Sequence, residues 1–147
     1  MDYPIYHQEF ALRCLTPIFS IPLLGCVQAG FPSPAADYTE EDIDLKSFLM
    51  PHPASTFVMK IQGDSMVQAS IPPGSYVVID RSVKPSNNSI IIAVINGEMT
   101  CKRLIKKGKT IMLAPENDNY PALVITDEMD FMIWGTVTRV LIDATKI

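Results

Sequence analysis

The sequence predicts an all-β domain of short, mostly antiparallel strands that follows a flexible N-terminal arm. Three observations predict it. Short apolar runs rich in β-branched residues recur from Thr56 onward. Turn signals separate them about every 8–12 residues, the spacing of a sandwich or barrel. One of those signals, Asn96-Gly97, is a strong two-residue hairpin pair.

The elements follow in order. Met1 to Tyr38 is rich in Pro, Gly and small residues and shows little periodicity. It reads as a mobile arm with a short helix around His7 to Cys14. Glu40 to Met50, EEDIDLKSFLM, reads as one helical turn with an extended lead-in, and Pro51 and Pro53 end it. Thr56 to Gln62 is a strand that Gly63 breaks. Pro72-Pro73-Gly74 turns the chain into Ser75 to Asp80, a buried strand. Ser89 to Ile95 runs into the Asn96-Gly97 hairpin, and Glu98 to Ile105 returns antiparallel. Lys107-Gly108 turns again into Thr110 to Leu113. Ala122 to Ile125 and Phe131 to Ile142 complete six or seven strands. Residues 1–29 form the arm, 30–50 an extended linker, and 51–147 the body.

At 147 residues the chain fits one compact domain with a sizeable core. It is 48% hydrophobic and 19% charged, with a formal net charge of −4. No basic stripe stands out, so direct nucleic-acid binding lacks electrostatic support. Cys14, Cys26 and Cys101 are odd in number and irregular in spacing. That argues against a disulfide framework or zinc site, suits a reducing cytoplasm, and gives no reason to expect a metal or cofactor. Leu15 to Ala29, LTPIFSIPLLGCVQA, contains a lipoprotein-like Leu23-Leu24-Gly25-Cys26. Its upstream flank carries Asp2 and Glu9 against Arg13, and Pro17 and Pro22 interrupt the run, so an export signal is disfavoured. No other segment approaches the roughly 20 apolar residues of a membrane span.

The chemistry centres on Lys60 to Asp80, KIQGDSMVQASIPPGSYVVID, where Ser65 sits in a Gly-Asp-Ser-Met turn after a strand. A serine nucleophile needs a base, and neither His7 nor His52 lies in a convincing setting. Lys102 is the alternative. Strand alternation puts Thr100, Lys102 and Leu104 on one face and Met99, Cys101 and Arg103 on the other. A lysine desolvated there without a carboxylate partner loses basicity and can take a proton from serine. The alternation alone leaves two readings open, because most strand lysines reach out to water. Ser65 has two as well, since Gly-Asp-Ser is common turn chemistry.

The motif order is more specific. Gly63-Asp64-Ser65-Met66, Ile71-Pro72-Pro73-Gly74, Tyr76-Val77-Val78-Ile79-Asp80 and Val94-Ile95-Asn96-Gly97-Glu98 with Lys102 resemble the LexA-type serine peptidases. Leu113-Ala114-Pro115-Glu116-Asn117 resembles that family's Leu-x-Pro-x-Asn segment, and the likeness covers roughly residues 20 to 142. The resemblance implies a LexA/signal-peptidase-like β fold, Ser65 as nucleophile and Lys102 as base. Within the family, Gly30-Phe31-Pro32-Ser33-Pro34-Ala35-Ala36-Asp37-Tyr38 resembles the segment after the self-cleavage site of the UmuD group. The implied target is the chain's own Ala29–Gly30 bond. Ala29 suits a narrow pocket and Gly30 a sharp bend. The residues between Gly30 and Ser65 span on the order of 100 Å when extended, ample for the arm to reach the site. The oxyanion would meet backbone N–H groups of Asp64 and Ser65, the Asp64 side chain being turn-forming.

The same resemblance implies a place in the SOS response to DNA damage. A RecA–single-stranded DNA filament would promote the cut, and the shortened homodimer would serve a UmuC-like Y-family DNA polymerase during error-prone translesion synthesis. A repressor would need a DNA-binding domain ahead of the cut, and a membrane signal peptidase would need an anchor. A non-catalytic protein-binding module of the same fold remains the alternative.

Overall fold

The computed structural model describes residues 20–23, 26–31 and 41–147. The helix expected at His7 to Cys14 lies outside them. The chain divides into two compact units, Met1–Pro51 and His52–Ile147.

In the first unit, β1 (Ser20–Leu23) pairs antiparallel with β2 (Glu41–Asp44), Ile21 lying opposite Ile43. Regular structure in this part of the arm was not expected, because the segment is rich in Pro, Gly and small residues and shows little periodicity. A two-stranded ribbon has only edges, and there proline is tolerated. The helix α1 (Leu45–Leu49) follows directly. The Asp44 side chain starts it, accepting from the Lys46 N–H at 3.0 Å and the Ser47 hydroxyl at 2.7 Å. The helical turn and extended lead-in expected at Glu40 to Met50 are both present.

The second unit is a seven-stranded, wholly antiparallel sheet. Its strands are β3 (Thr56–Lys60), β4 (Tyr76–Asp80), β5 (Ile90–Ile95), β6 (Glu98–Lys107), β7 (Thr110–Ala114), β8 (Leu123–Val124) and β9 (Phe131–Leu141). In space they run β3-β4-β9-β5-β6-β7-β8. The expected all-β class is observed, with each predicted strand within a few residues of its place. Asn96 and Gly97 close the β5–β6 hairpin with φ of 48° and 83°, as a type I′ turn requires.

Both faces of the sheet bury apolar side chains. Ile61, Met66, Ile71, Val77, Ile79 and Ile92 form one cluster. Ile91, Ala93, Leu104 and Leu113 form a second. Ile91 and Ile92 are neighbours on β5 yet belong to different clusters, so β5 is covered on both sides. That is why it reads as an unbroken apolar run. The long β9 takes two bulges, with Trp134 unpaired against β5 and Thr138 unpaired against β4. At Gly135 the backbone passes so close to β4 that a Cβ would lie 2.5 Å from Ile79 Cγ2.

Asp80 ends β4 with its side chain almost wholly buried. It accepts from the Ser82 hydroxyl at 2.6 Å, the Ser82 N–H at 2.8 Å, the Ser55 hydroxyl at 2.8 Å and His52 Nδ1 at 2.6 Å. The Ser82 bond, with help from His52 and Ser55, holds this carboxyl far below the usual carboxylate range despite its burial. The charge thus ties the lead-in of β3 to the exit of β4. Among the described residues no serine hydroxyl bonds the His52 imidazole.

Two outcomes follow. Gly135→Ala should cost about 1–3 kcal/mol in urea unfolding, because buried Ile79 has nowhere to move. A carboxyl with a depressed folded pKa contributes stability that is present above its unfolded value and lost as pH falls through the folded one. Unfolding midpoints at pH 7 and pH 3 should therefore differ less in Asp80→Asn than in the parent chain.

Candidate active site

Ser65 is presented by a turn with two anchors. Gly63 takes φ of 79°, a left-handed conformation open to glycine at little cost. Met66, next to the serine, is 1% exposed and packs in the first core cluster. Its carbonyl accepts from the N–H groups of Ala69 and Ile71 at 3.1 and 3.2 Å, which tightens the short helical turn Val67–Ala69. The serine side chain is therefore held at the surface by a neighbour that cannot leave the core.

Lys102 lies on β6, half-buried. Its Nζ is 2.9 Å from Ser65 Oγ, 2.9 Å from Thr100 Oγ1 and 3.0 Å from the Cys101 carbonyl oxygen. The predicted alternation holds, since Thr100 and Lys102 meet on one face while Cys101 packs in the first core cluster. None of the three partners is a carboxylate. Desolvation lowers the Lys102 pKa from the ordinary lysine value. In this arrangement Nζ donates to all three oxygens, the Ser65 and Thr100 hydroxyls and the Cys101 carbonyl.

Cys101 is the rival nucleophile. Burial pushes its thiol up to about 11, against a smaller opposing pull from Lys102. A thiol reacts as the thiolate, so near neutrality this one is inert. It lines instead a cleft of about 370 Å³ beside Ser65, with Met59, Ile61, Ile92 and Met99 as other apolar walls.

A loop absent from the sequence-based site braces the serine turn. The Glu116 N–H donates to the Ser65 carbonyl at 2.7 Å, and the Gln68 N–H donates to the Glu116 carbonyl at 2.8 Å. Arg103, adjacent to Lys102, donates through Nε to Glu116 Oε1 and through a terminal nitrogen to the Asn88 carbonyl at 2.7 Å. The Tyr120 hydroxyl donates to Asp64 Oδ1 at 2.6 Å. Asp64 is thus turn-forming, as expected, and tied down. The only sequence signal for this brace was Leu113 to Asn117, which carried a likeness but no role.

Of the other expected positions, Ala29 and Gly30 lie in an exposed stretch without regular structure, Cys26–Phe31. The Asp64 and Ser65 amides, expected as oxyanion donors, have no acceptor among the described residues. Cys26 and Cys101 are both free thiols. Among the described residues no helix is long and apolar enough to cross a membrane.

In this β body Lys102 Nζ lies within hydrogen-bond distance of Ser65 Oγ, and comparison with known proteins gives the class. The chain belongs to the Peptidase S24-like family, whose profile matches residues 22–138, and so falls among the LexA-type self-cleaving serine peptidases. It is similar to Protein ImpA of Escherichia coli, 42% identical over 114 residues that cover 78% of this chain and 77% of the relative. It is 37% identical to Protein MucA of Salmonella typhimurium over 145 residues, 97% of this chain and 96% of that one. It is 35% identical to the LexA repressor of Clostridium novyi over 109 residues, 74% of this chain and 53% of the repressor. The UmuD-like, LexA-type resemblance read from the motifs is borne out.

The lysine's environment has a measurable consequence for stability. A lysine whose folded pKa is depressed destabilises the fold at pH values below that pKa. The penalty fades as pH rises to the ordinary lysine value. Lys102→Met should therefore raise the melting midpoint at pH 7, with a gain that shrinks toward pH 10.

Proposed function

We propose that the chain is an SOS-response protein that cuts its own Ala29–Gly30 bond with a Ser65–Lys102 dyad. The observation that carries this reading is the 2.9 Å contact between Lys102 Nζ and Ser65 Oγ, made in the absence of any carboxylate partner. Neutral Lys102 takes the Ser65 proton as Oγ attacks the Ala29 carbonyl. The oxyanion is met by the N–H groups of Asp64 and Ser65. The Lys102 ammonium then delivers its proton to the departing Gly30 nitrogen, leaving an ester between Ala29 and Ser65. Lys102 next deprotonates a water that attacks the ester, releasing residues 1–29 with a carboxylate on Ala29 and restoring Ser65. The exposure of Ala29 and Gly30 supports this target. An intramolecular substrate has a high effective concentration, so a modest catalyst suffices for a single cut.

In this reading a RecA–single-stranded DNA filament triggers the cut in the cytoplasm. The Gly30–Ile147 product is a homodimer that joins a UmuC-like Y-family polymerase as its accessory subunit. The likeness to ImpA, MucA and the LexA repressor supports the SOS-type, self-cleaving part of the reading, and the partners are proposed from the motif resemblance.

Incubation with activated RecA filaments, read by intact mass, should yield a product that begins at Gly30 and has 147 − 29 = 118 residues. A new N-terminus elsewhere would overturn the assigned bond. Without RecA the cutting rate should rise with pH as Lys102 loses its proton, and Lys102→Arg should not cut, because guanidinium stays protonated. A flat rate from pH 7 to pH 10, or normal cutting by Lys102→Arg, would remove Lys102 from the base role.

A further inference from the structure

The brace does more than hold the serine turn in place. Asn117 Nδ2 donates to the Asp64 carbonyl at 2.9 Å, and the Val67 N–H reaches the same oxygen at 3.3 Å. The carbonyl of Asp64 and the N–H of Ser65 belong to one planar trans peptide unit and point in opposite directions. Fixing the oxygen therefore fixes the aim of the hydrogen. The next peptide is held in the same way, because the Glu116 N–H pins the Ser65 carbonyl at 2.7 Å. Two successive peptide planes at the nucleophile are thus set by two successive residues of one loop. The Ser65 N–H, meanwhile, donates to no group among the described residues.

From this arrangement we infer that Asn117 is a positioning residue, whose side-chain amide aims the Ser65 N–H at the oxyanion formed during self-cleavage. It touches neither the nucleophile's oxygen nor the base. Its own carbonyl oxygen accepts from the Asn119 N–H at 3.0 Å, which leaves the NH₂ group for Asp64. The inference rests on the self-cleaving reading of the site, and it assigns the donor a mechanical cause.

Asn117→Asp separates aiming from mere filling of space. It keeps the shape and the acceptor for Asn119 but loses the donor. On the alkaline plateau of RecA-independent cutting, Asn117→Ala and Asn117→Asp should both be slower by about 10- to 100-fold, part of the loss seen when an oxyanion donor is removed outright. The pH at which the rate reaches half its plateau should stay where it is, because Lys102 is untouched. A second measurement does not depend on cutting. In full-length Lys102→Met, the residual dipolar coupling of the Ser65 N–H in an aligned medium should change when Asn117 is replaced by Asp. An unchanged coupling, a normal plateau rate in Asn117→Asp, or a shifted pH midpoint at normal plateau rate would each overturn the assignment. If the parent chain fails to cut at any pH from 7 to 10, the self-cleaving reading falls, and the coupling alone decides whether Asn117 aims the amide.

Discussion

The proposed dyad depends on one constraint, that an amine must sit beside a serine without a counter-ion. A lysine at its ordinary pKa of about 10.4 is neutral in only about one molecule in 2,500 at pH 7. Each unit by which burial lowers that value multiplies the neutral fraction about tenfold. A carboxylate within reach would undo the gain, because it favours the ammonium. The partners of Lys102 are a serine, a threonine and a backbone carbonyl. Contrast Asp80, which gathers every available donor and stays charged. One fold thus treats two buried ionisable groups in opposite ways. Asp80 is stabilised as an ion that joins strands, whereas desolvation disfavours the charged form of half-buried Lys102.

The two members of the pair ride on different kinds of structure. Lys102 is on β6, whose position is set by ladders to β5 and β7 and by burial of Leu104. Ser65 is on a turn, and turns have no ladder to hold them. Met66 anchors one side of that turn in the core, and the loop after β7 anchors the other. Arg103 closes the circuit, since it is covalently next to Lys102 and bonded to Glu116, which in turn bonds Ser65. The serine turn, the loop after β7 and β6 are thus linked through one chain of hydrogen bonds.

Much of this was legible in the sequence, for identifiable reasons. The strands announce themselves through apolar runs cut by Gly, Pro and Asn-Gly turns, and period-two alternation placed Thr100, Lys102 and Cys101 on their observed faces. Three features were not legible. β1 was hidden because its segment is rich in Pro, Gly and small residues and shows little periodicity, and a two-stranded ribbon tolerates its proline. The tie between His52 and Asp80 joins residues 28 apart and leaves no local signal. The brace from Arg103 through Glu116, Asn117 and Tyr120 is also invisible to any window, since its contacts to Asp64 and Ser65 span about fifty residues. Local propensity reports elements and faces, whereas contacts between loops depend on where the whole sheet brings them.

In the proposed dyad the nucleophile is the weaker of two candidates by intrinsic reactivity, and burial of Cys101 and Lys102 gives a reason. A thiol is ordinarily the better nucleophile, and this one lines the same cleft as Ser65. Burial disfavours whichever form carries charge. For lysine that form is the protonated one, so burial lowers the Lys102 pKa. For cysteine it is the deprotonated one, so burial abolishes a nucleophile, and the thiol rises to about 11. Serine escapes the penalty because it needs no standing anion. In the proposed reading it gives up its proton only as it attacks, to a base already in contact. Burial leaves Cys101 as an apolar wall of the cleft beside it.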